Sequence, residues 1–277
     1  MALSFKSRPA LVAYLTCGDP DIATTREIAL VAIEAGAEVI ELGVPFSDPV
    51  ADGPVIQRAS ERALKRGTTL VDVLGLARDL RKETQAGLIV FSYFNPILRF
   101  GLDSFCAMAA DAGVDGALVT DLTVEESGDY QRAMKKHKLK TVFLAAPTST
   151  DERLRMIAQA STGFVYAVSR TGVTGARKEM ASEARDLVRR VKIHSKLPVA
   201  VGFGISTPEQ VAEVGEFAEA AVVGSAIVQV VEDAGPKGRA AEAVGELVSR
   251  LSAVGRRPSV TAGKGLTSDP GRPRQRV

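Results

Sequence analysis

One arrangement repeats eight times along this chain: a short apolar run rich in Val, Ile, Leu and Ala is followed by a longer stretch. The apolar runs are continuously rather than alternately hydrophobic, which is typical of strands that are covered on both faces of a parallel sheet. These predicted strands are Ala10–Leu15, Val39–Leu42, Leu88–Ser92, Gly116–Thr120, Thr141–Ala145, Gly163–Val168, Pro198–Gly202 and Ala220–Val223.

The longer stretches include amphipathic patterns that predict connecting helices. Such patterns occupy Asp21–Ala35, Asp103–Ala112, Glu125–Lys138, Asp151–Ala160 and Glu183–Ser195. Thr150 and Thr207 precede acidic or proline-containing helix starts, and Gly36 and Gly113 stand where a helix end needs a left-handed residue. Eight alternations of strand and helix favour an α/β fold, a single closed (β/α)8 barrel of the TIM type. An open doubly wound sheet is the alternative, although no GxGxxG motif follows the first strand.

Chain length and charge predict one domain with a tail. The 277 residues fit a single barrel, which we expect over residues 1–254. From residue 255 onward there are six basic residues and one acidic residue, rich in Gly, Pro and Ser, which predicts a basic, disordered tail over 255–277. The rest of the chain has a net charge of −3 and no evident basic patch, so we expect no nucleic-acid partner. No apolar run approaches the roughly 20 residues of a membrane span.

The rare residues narrow the chemistry. Cys17 and Cys106 are far apart with no CxxC spacing, so a reduced cytoplasm is the simplest setting. His137 and His194 fall near helix ends on the face opposite the expected active site, so we expect no histidine-based zinc site and no bound metal. No strand end carries a lysine for a Schiff base. Bond-breaking chemistry here must therefore use carboxylates.

Glycine loops after the last strands indicate a phosphate site. Gly204 follows the seventh strand, and Gly224 and Ser225 open an apolar helix after the eighth. Barrel enzymes commonly bind phosphate at these loops, where glycines let backbone N–H groups approach the anion. Tight strand-to-helix turns would also favour glycine. A third glycine-containing loop, which ends at Gly175 after the sixth strand, favours phosphate binding.

Glu41 is the candidate catalytic group. It lies in the apolar run at the end of the second strand, where desolvation would raise its pKa and suit it to proton transfer. A structural ion pair is the alternative, but the eight runs contain no cation beyond the flanking Lys140 and Arg170. Asp52, in a loop bounded by glycine and proline, can bring a second carboxylate over the barrel mouth. Aromatic residues that could hold a flat ring there, or simply pack, are Tyr14, Phe91, Tyr93, Tyr166 and Phe203.

The stretch Glu41–Pro54 (ELGVPFSDPVADGP) resembles the signature of the tryptophan synthase alpha subunit family. Ser169–Gly175, Gly202–Ser206 and Val223–Val228 are similar to further family segments, in the same order and at fitting separations. The resemblance extends over roughly 10–251. It implies a lyase that cleaves indole-3-glycerol phosphate to indole and glyceraldehyde 3-phosphate by a retro-aldol reaction, with the protonated indole ring as electron sink.

The resemblance also implies residue roles. Glu41 would exchange protons with the indole carbon and the glycerol hydroxyl, and Asp52 would hydrogen-bond the indole N–H. The other residues that the resemblance places at the substrate are Tyr14 (where the family usually has Phe), Tyr166, Phe203 and the lid residue Thr174, and Tyr93 is expected there as an aromatic residue at the barrel mouth. The phosphate would be bound by Gly175, Gly204, Gly224 and Ser225.

A partner is implied as well: a beta subunit that holds pyridoxal phosphate and receives indole in a heterotetramer of two alpha and two beta subunits. Asp48 and Pro49 would face it. This chain itself would hold no cofactor. Two alternatives stay open, a stand-alone indole-releasing lyase and a regulatory binding subunit. Because the segment before the first strand is short, we expect a looser lower rim of the barrel.

Overall fold

Eight parallel strands close into a barrel in chain order, each hydrogen-bonded to the next and the eighth to the first. The computed structural model describes residues 3, 5–168, 177–202, 204–235 and 239–255. All eight predicted strands and the closed barrel are confirmed, and the open-sheet alternative is wrong. The strands are β1 (Ala10–Thr16), β2 (Ala37–Gly43), β3 (Gly87–Ser92), β4 (Gly116–Val119), β5 (Lys140–Ala145), β6 (Val165–Val168), β7 (Val199–Gly202) and β8 (Ala220–Val223).

Helices connect the strands and surround the barrel. They are α1 (Ile22–Ala35), α2 (Pro54–Lys65), α3 (Leu70–Arg81), α4 (Phe94–Phe100), α5 (Leu102–Asp111), α6 (Gly128–Lys136), α7 (Asp151–Ala160), α8 (Arg177–His194), α9 (Pro208–Gly215), α10 (Ser225–Ala234) and α11 (Ala240–Ser252). Of the described helices, none is long and apolar enough to cross a membrane.

The predicted helix ends are confirmed where the sequence marked them. Thr150 caps α7, and Thr207 forms a reciprocal capping box with Gln210 at the start of α9. Gly36 ends α1 with a φ of 117°, a left-handed conformation that only glycine adopts without strain. The pattern that predicted one helix over 125–138 instead gives a short 3₁₀ turn followed by α6. The Ser127 hydroxyl donates to the Val124 carbonyl at 2.7 Å, and this local bond accompanies the break.

The barrel interior is filled by alternate residues of the strands. Val12 of β1, Val39 of β2, Ile89 of β3 and Leu118 of β4 belong to one buried cluster inside the barrel. Because side chains alternate between the two faces of a strand, Glu41 shares the inward face of Val39. The fold therefore places a carboxylate directly above an apolar layer, toward the carboxyl end of β2.

The opposite end of the barrel contains a cavity of about 560 Å³. It lies at the amino ends of β1, β2 and β3, and its lining includes Leu3, Pro9, Ala37 and Gly87. The looser lower rim expected from the short leading segment stays a prediction. The cavity is at the far end of the strands from Glu41, so it does not contribute to the site described next.

Candidate active site

Glu41 is fully buried, with none of its surface exposed. No described group donates a hydrogen bond to either of its carboxylate oxygens. Desolvation penalises the charged form, and burial raises the pKa of Glu41 to about 8. A structural ion pair of Glu41, the alternative to a catalytic role, is absent from the described part of the chain. A carboxyl group with this pKa can both give and take a proton near neutral pH.

Tyr14 of β1 lies beside Glu41 in the strand register and extends toward the mouth. Its hydroxyl rests against Gly43: a Cβ atom at Gly43 would come within 2.4 Å of the Tyr14 oxygen. Its ring packs edge-on against Phe91, with 5.0 Å between the ring centroids. Burial and the charge of Asp52 raise the pKa of Tyr14 well above its usual value, so its hydroxyl stays neutral. Gly43 is thus required for the position of this aromatic wall.

Asp52 is held over the mouth by Tyr93. The Tyr93 hydroxyl donates to Asp52 Oδ2 at 2.9 Å and accepts from the backbone N–H of Ala51 at 2.9 Å. The Tyr93 ring is buried and packs against Phe46 at 5.0 Å between centroids. Desolvation raises the pKa of Asp52, and the hydrogen bond from Tyr93 opposes that rise. Asp52 therefore has a fixed position and one oxygen, Oδ1, with no hydrogen bond from a described group.

Tyr166 forms the opposite wall in the same way. Its hydroxyl lies against Gly202, where an added Cβ would be 2.4 Å from the Tyr166 oxygen. Burial, with further contributions from Glu41, Tyr14 and Asp52, raises the pKa of Tyr166. Glu41, Tyr14, Asp52 and Tyr166 therefore lie close enough together at the barrel mouth for their charges to affect one another's pKa values. The fold therefore brings two aromatic rings and two carboxylates together toward the carboxyl ends of the strands.

The candidate phosphate residues lie at the ends of β7 and β8. Gly204 is exposed and has a positive φ of 56°, and no atom of the described residues lies within 4 Å of where its Cβ would stand. Gly224 precedes α10, and Ser225 is its exposed first residue. The first turn of this helix points its backbone N–H groups toward the mouth, where they favour an anion. The predicted residues Thr174, Gly175 and Phe203 lie outside the described residues.

The strand-2 loop presents an exposed surface beside this mouth. Asp48 is exposed, Pro49 is partly exposed and Val50 is 84% exposed. Together with α2 they border an open depression of about 440 Å³. Among the described residues, Val50 is the large apolar side chain with the greatest exposure.

Some functional features were not predicted. Sequence reasoning did not identify Gly43 and Gly202 as the glycines that make room for the two tyrosine hydroxyls. The strand alternation offered a signal for Gly43, because it shares the inward face of Glu41. Nothing comparable marked the hydrogen bond from Tyr93 to Asp52, which joins residues 41 positions apart. In the part of the chain that the structure describes, no group of three or more His, Cys, Asp or Glu side chains is arranged to hold a metal ion.

Comparison with known proteins agrees with this geometry. The family model described as tryptophan synthase alpha chain matches residues 1–261. The tryptophan synthase alpha chain of Solibacter usitatus is 56% identical over 230 residues, which cover 83% of this chain and 86% of that protein. The solved tryptophan synthase subunit alpha of Legionella pneumophila is 39% identical with a TM-score of 0.82, covering 89% of this chain and 92% of the other.

A chain in the tryptophan synthase complex of Pyrococcus furiosus is similar too. It is 40% identical with a TM-score of 0.82, covering 90% of this chain and all of that one. The barrel, the strand-2 carboxylate and the match over almost the whole chain lead to one conclusion. The chain belongs to the tryptophan synthase alpha chain family.

Proposed function

We propose that this chain cleaves indole-3-glycerol phosphate to indole and glyceraldehyde 3-phosphate. Membership of the family implies a lyase activity. The main support for this specific reaction is Glu41. It is a fully buried carboxyl group that receives no hydrogen bond from a described residue, and its pKa is raised to about 8. Such a group is protonated at neutral pH and can protonate a carbon atom, which a carboxyl group of ordinary pKa would do poorly.

In the proposed reaction Glu41 gives up one proton and then gains another from the substrate, so the protonated carboxyl group is regenerated in each turnover. Protonated Glu41 gives its proton to C3 of the indole ring, which places a positive charge on the ring nitrogen. The resulting carboxylate accepts the proton of the adjacent glycerol hydroxyl as the bond between C3 and the side chain breaks. The electron pair of that bond returns to the ring and restores neutral indole. Because the protonated ring accepts these electrons, the proposed reaction requires neither a Schiff base nor a metal ion.

Asp52 supports the charged intermediate. Its free Oδ1 would accept a hydrogen bond from the indole N–H, and its negative charge would stabilise the positive ring. Tyr93 holds the carboxylate from the other side at 2.9 Å. Tyr14 and Tyr166 would enclose the ring, together with Phe203. A preoriented charge in a partly desolvated site is the kind of contribution that lowers a barrier most.

The phosphate of the substrate would bind at the ends of β7 and β8. Backbone N–H groups at Gly204, Gly224 and Ser225 would hold it with the positive end of α10, and Gly175 would complete the set. Thr174 would close the sixth loop over the substrate and exclude water.

Replacing Ser225 by Ala tests this placement. Because the backbone N–H groups remain and continue to hold the phosphate, we expect KM for indole-3-glycerol phosphate to rise by about three- to tenfold, with little change in kcat, which corresponds to the ordinary net value of one hydrogen bond, about 0.5–1.5 kcal/mol. Steady-state kinetics of indole release measures both constants. An unchanged KM would contradict the assignment of Ser225 to the phosphate.

We further propose a tryptophan synthase beta subunit as the partner, in a heterotetramer of two alpha and two beta subunits. The exposed Val50, with Asp48 and Pro49, supplies a surface for it. Pyridoxal phosphate would belong to that partner, and this chain would hold no cofactor. The buried, unpaired thiols of Cys17 and Cys106 support a reducing setting such as the cytoplasm.

The first experiment is to follow indole release from indole-3-glycerol phosphate, with and without a beta subunit. Slow release that rises sharply with the partner is the expected result. Fast release by the chain alone would instead indicate a stand-alone lyase. A Glu41→Gln variant that still activated the partner, although neither it nor the parent chain released indole, would indicate a regulatory subunit.

The contact between Gly43 and Tyr14 gives a further prediction. In a Gly43→Ala variant the new methyl group would collide with the Tyr14 hydroxyl and ring. We expect kcat/KM to fall by about ten- to a hundredfold, because displacement of an aromatic wall misplaces the ring of the substrate. Kinetics and thermal unfolding of the purified variant measure the effect.

The matched control is Gly75→Ala in α3. Apart from the adjacent residues and the backbone of its own helix, no atom of the described chain lies within 4 Å of a Cβ at this position, and its φ is not in the left-handed region. We expect unchanged kinetics and a gain in stability of about 0.5–1 kcal/mol, because alanine restricts the unfolded chain. Equal kinetics for both glycine variants would show that the position of Tyr14 does not matter for the reaction.

A further inference from the structure

A network of ion pairs joins α2, α10 and the loop after β1. Arg62 of α2 forms a two-pronged contact with Asp19, in which Nε–Oδ1 is 2.8 Å and Nη2–Oδ2 is 2.7 Å. Its remaining nitrogen, Nη1, donates to Glu232 of α10 at 2.7 Å. Arg58, one turn earlier in α2, also donates to both oxygens of Glu232, at 2.9 and 2.6 Å. The guanidinium of Arg62 therefore bridges two carboxylates on separate elements.

Burial distinguishes the two ion pairs of Arg62 from most other ion pairs in the described chain, although Arg81 and Asp115 are partly buried as well. Asp19 is only 4% exposed and the side chain of Glu232 is 23% exposed. Partly buried pairs are less screened by solvent than exposed ones, and the planar fork of arginine gives them a fixed geometry. Most ion pairs elsewhere in the described chain join side chains of which at least one is more than 40% exposed, for example Arg185 and Glu216.

The network joins α2 and α10, and each of these helices lies next to one part of the proposed site: α2 next to Asp52 and α10 next to the candidate phosphate residues. Asp52 lies two residues before the start of α2, and Gln57 Nε2 of α2 donates to the Asp52 carbonyl at 2.8 Å. The helix α10 begins at Ser225, in the candidate phosphate site. Beneath the network, Ala59 of α2 and Val228 of α10 pack in one cluster with Tyr14. A shift of one helix against the other would change the separation between Asp52 and Ser225.

We propose that Arg62 and Glu232 are positioning residues that fix the distance between Asp52 and the phosphate-binding end of α10. This inference rests on the proposed function, since it requires one substrate that has a ring at one end and a phosphate at the other. Neither residue is proposed to touch the substrate. Their effect is to keep two separate binding groups at the spacing at which a single molecule engages both.

The test uses a linked ligand and its two halves. Indole-3-propanol phosphate joins an indole ring to a phosphate through an inert chain, whereas indole and glycerol 3-phosphate each carry one end. In the full chain, Glu232→Gln removes the charge on α10 and leaves the contact of Arg62 with Asp19 in place. We expect it to weaken binding of indole-3-propanol phosphate by about tenfold. When the two binding sites are no longer at the right spacing, the ring and the phosphate of one molecule cannot both bind well at the same time. Binding of indole and of glycerol 3-phosphate should stay within twofold.

Glu216→Gln is the matched control, because it removes a single ion pair, with Arg185, between α8 and α9. We expect it to bind all three ligands like the parent chain. Arg62→Lys keeps the charge but not the fork, and we expect it to weaken the linked ligand without weakening either half. Calorimetric titration gives the affinities, and thermal unfolding checks that each variant is folded.

Two results would overturn the proposal. One is an unchanged affinity of Glu232→Gln for indole-3-propanol phosphate. The other is an equal loss of affinity for indole-3-propanol phosphate, for indole and for glycerol 3-phosphate, since that result would mean that each binding site is damaged separately. Failure of the proposed function looks different: the parent chain would itself neither bind indole-3-propanol phosphate nor release indole from indole-3-glycerol phosphate.

Discussion

Replacing Glu41 by Gln is expected to lower kcat/KM for indole-3-glycerol phosphate by at least about 10²- to 10⁴-fold, the usual contribution of a positioned acid–base group. Glutamine has nearly the same shape but cannot give a proton to the indole carbon. The loss should appear in kcat, while the affinity for glycerol 3-phosphate stays unchanged because the phosphate site is separate. Single-turnover measurement of indole formation isolates the chemical step. Near-normal turnover would remove Glu41 from the proton-transfer role.

The same variant should become more stable than the parent chain as the pH rises. The pKa of Glu41 is about 8 in the folded chain, against about 4.3 for an unperturbed glutamate. Between these values the unfolded chain has released the proton and the folded chain has kept it. The free energy of unfolding of the parent chain therefore falls with increasing pH in this window, at up to about 1.4 kcal/mol per pH unit.

Glutamine does not titrate, so the advantage of Glu41→Gln should be smallest near pH 5 and reach a few kcal/mol near pH 8. Urea unfolding of both proteins at these two pH values measures the difference. A pH-independent difference would show that burial does not perturb Glu41 as the geometry requires. A loss of activity together with a gain in stability is the pattern of a buried group retained for function.

The sequence was sufficient to predict the barrel and to identify Glu41 as the candidate catalytic group, because both predictions depend on the pattern of residues within single strands. Continuous apolar runs can be recognised one strand at a time, and a carboxylate inside such a run is conspicuous wherever the strand lies. The contacts around Glu41 were not predictable in this way. The Tyr14 hydroxyl meets Gly43 only after β1 and β2 pair, and the sequence does not give the direction in which the ring leans.

The network at Arg62 shows the same limit more strongly. Asp19 precedes Arg62 by 43 residues, and Glu232 follows it by 170. Their contact depends on how α2 and α10 pack across the seam where the barrel closes, which is a property of the complete fold. In sequence these residues look like ordinary charges on amphipathic helices. The atoms on which Glu41 and Asp52 would act, the indole carbon and the indole N–H, by contrast came from the family resemblance, although the proton-transfer role of Glu41 itself followed from its place in an apolar strand.

Asp52→Asn should produce the second large loss, with kcat reduced by about 10²- to 10³-fold, as for removal of a preoriented electrostatic group. Asparagine can occupy the same space and can still accept a hydrogen bond from Tyr93. It lacks the negative charge that stabilises the ring once C3 has been protonated. The affinity for indole-3-propanol phosphate should therefore fall by less than about tenfold, because that ligand carries a neutral ring.

Tyr93→Phe separates the charge of Asp52 from its position. This variant keeps the carboxylate but removes the hydrogen bond that holds Oδ2 at 2.9 Å. Loss of one hydrogen bond to a charged group corresponds to about 1.5–3 kcal/mol, part of which a reoriented carboxylate would recover, so we expect a loss in kcat of about tenfold. Comparison of kcat for the two variants is the measurement. If Tyr93→Phe were as inactive as Asp52→Asn, the position of the carboxylate would matter more than its charge, and stabilisation of a positive ring would no longer explain why Asp52 is needed.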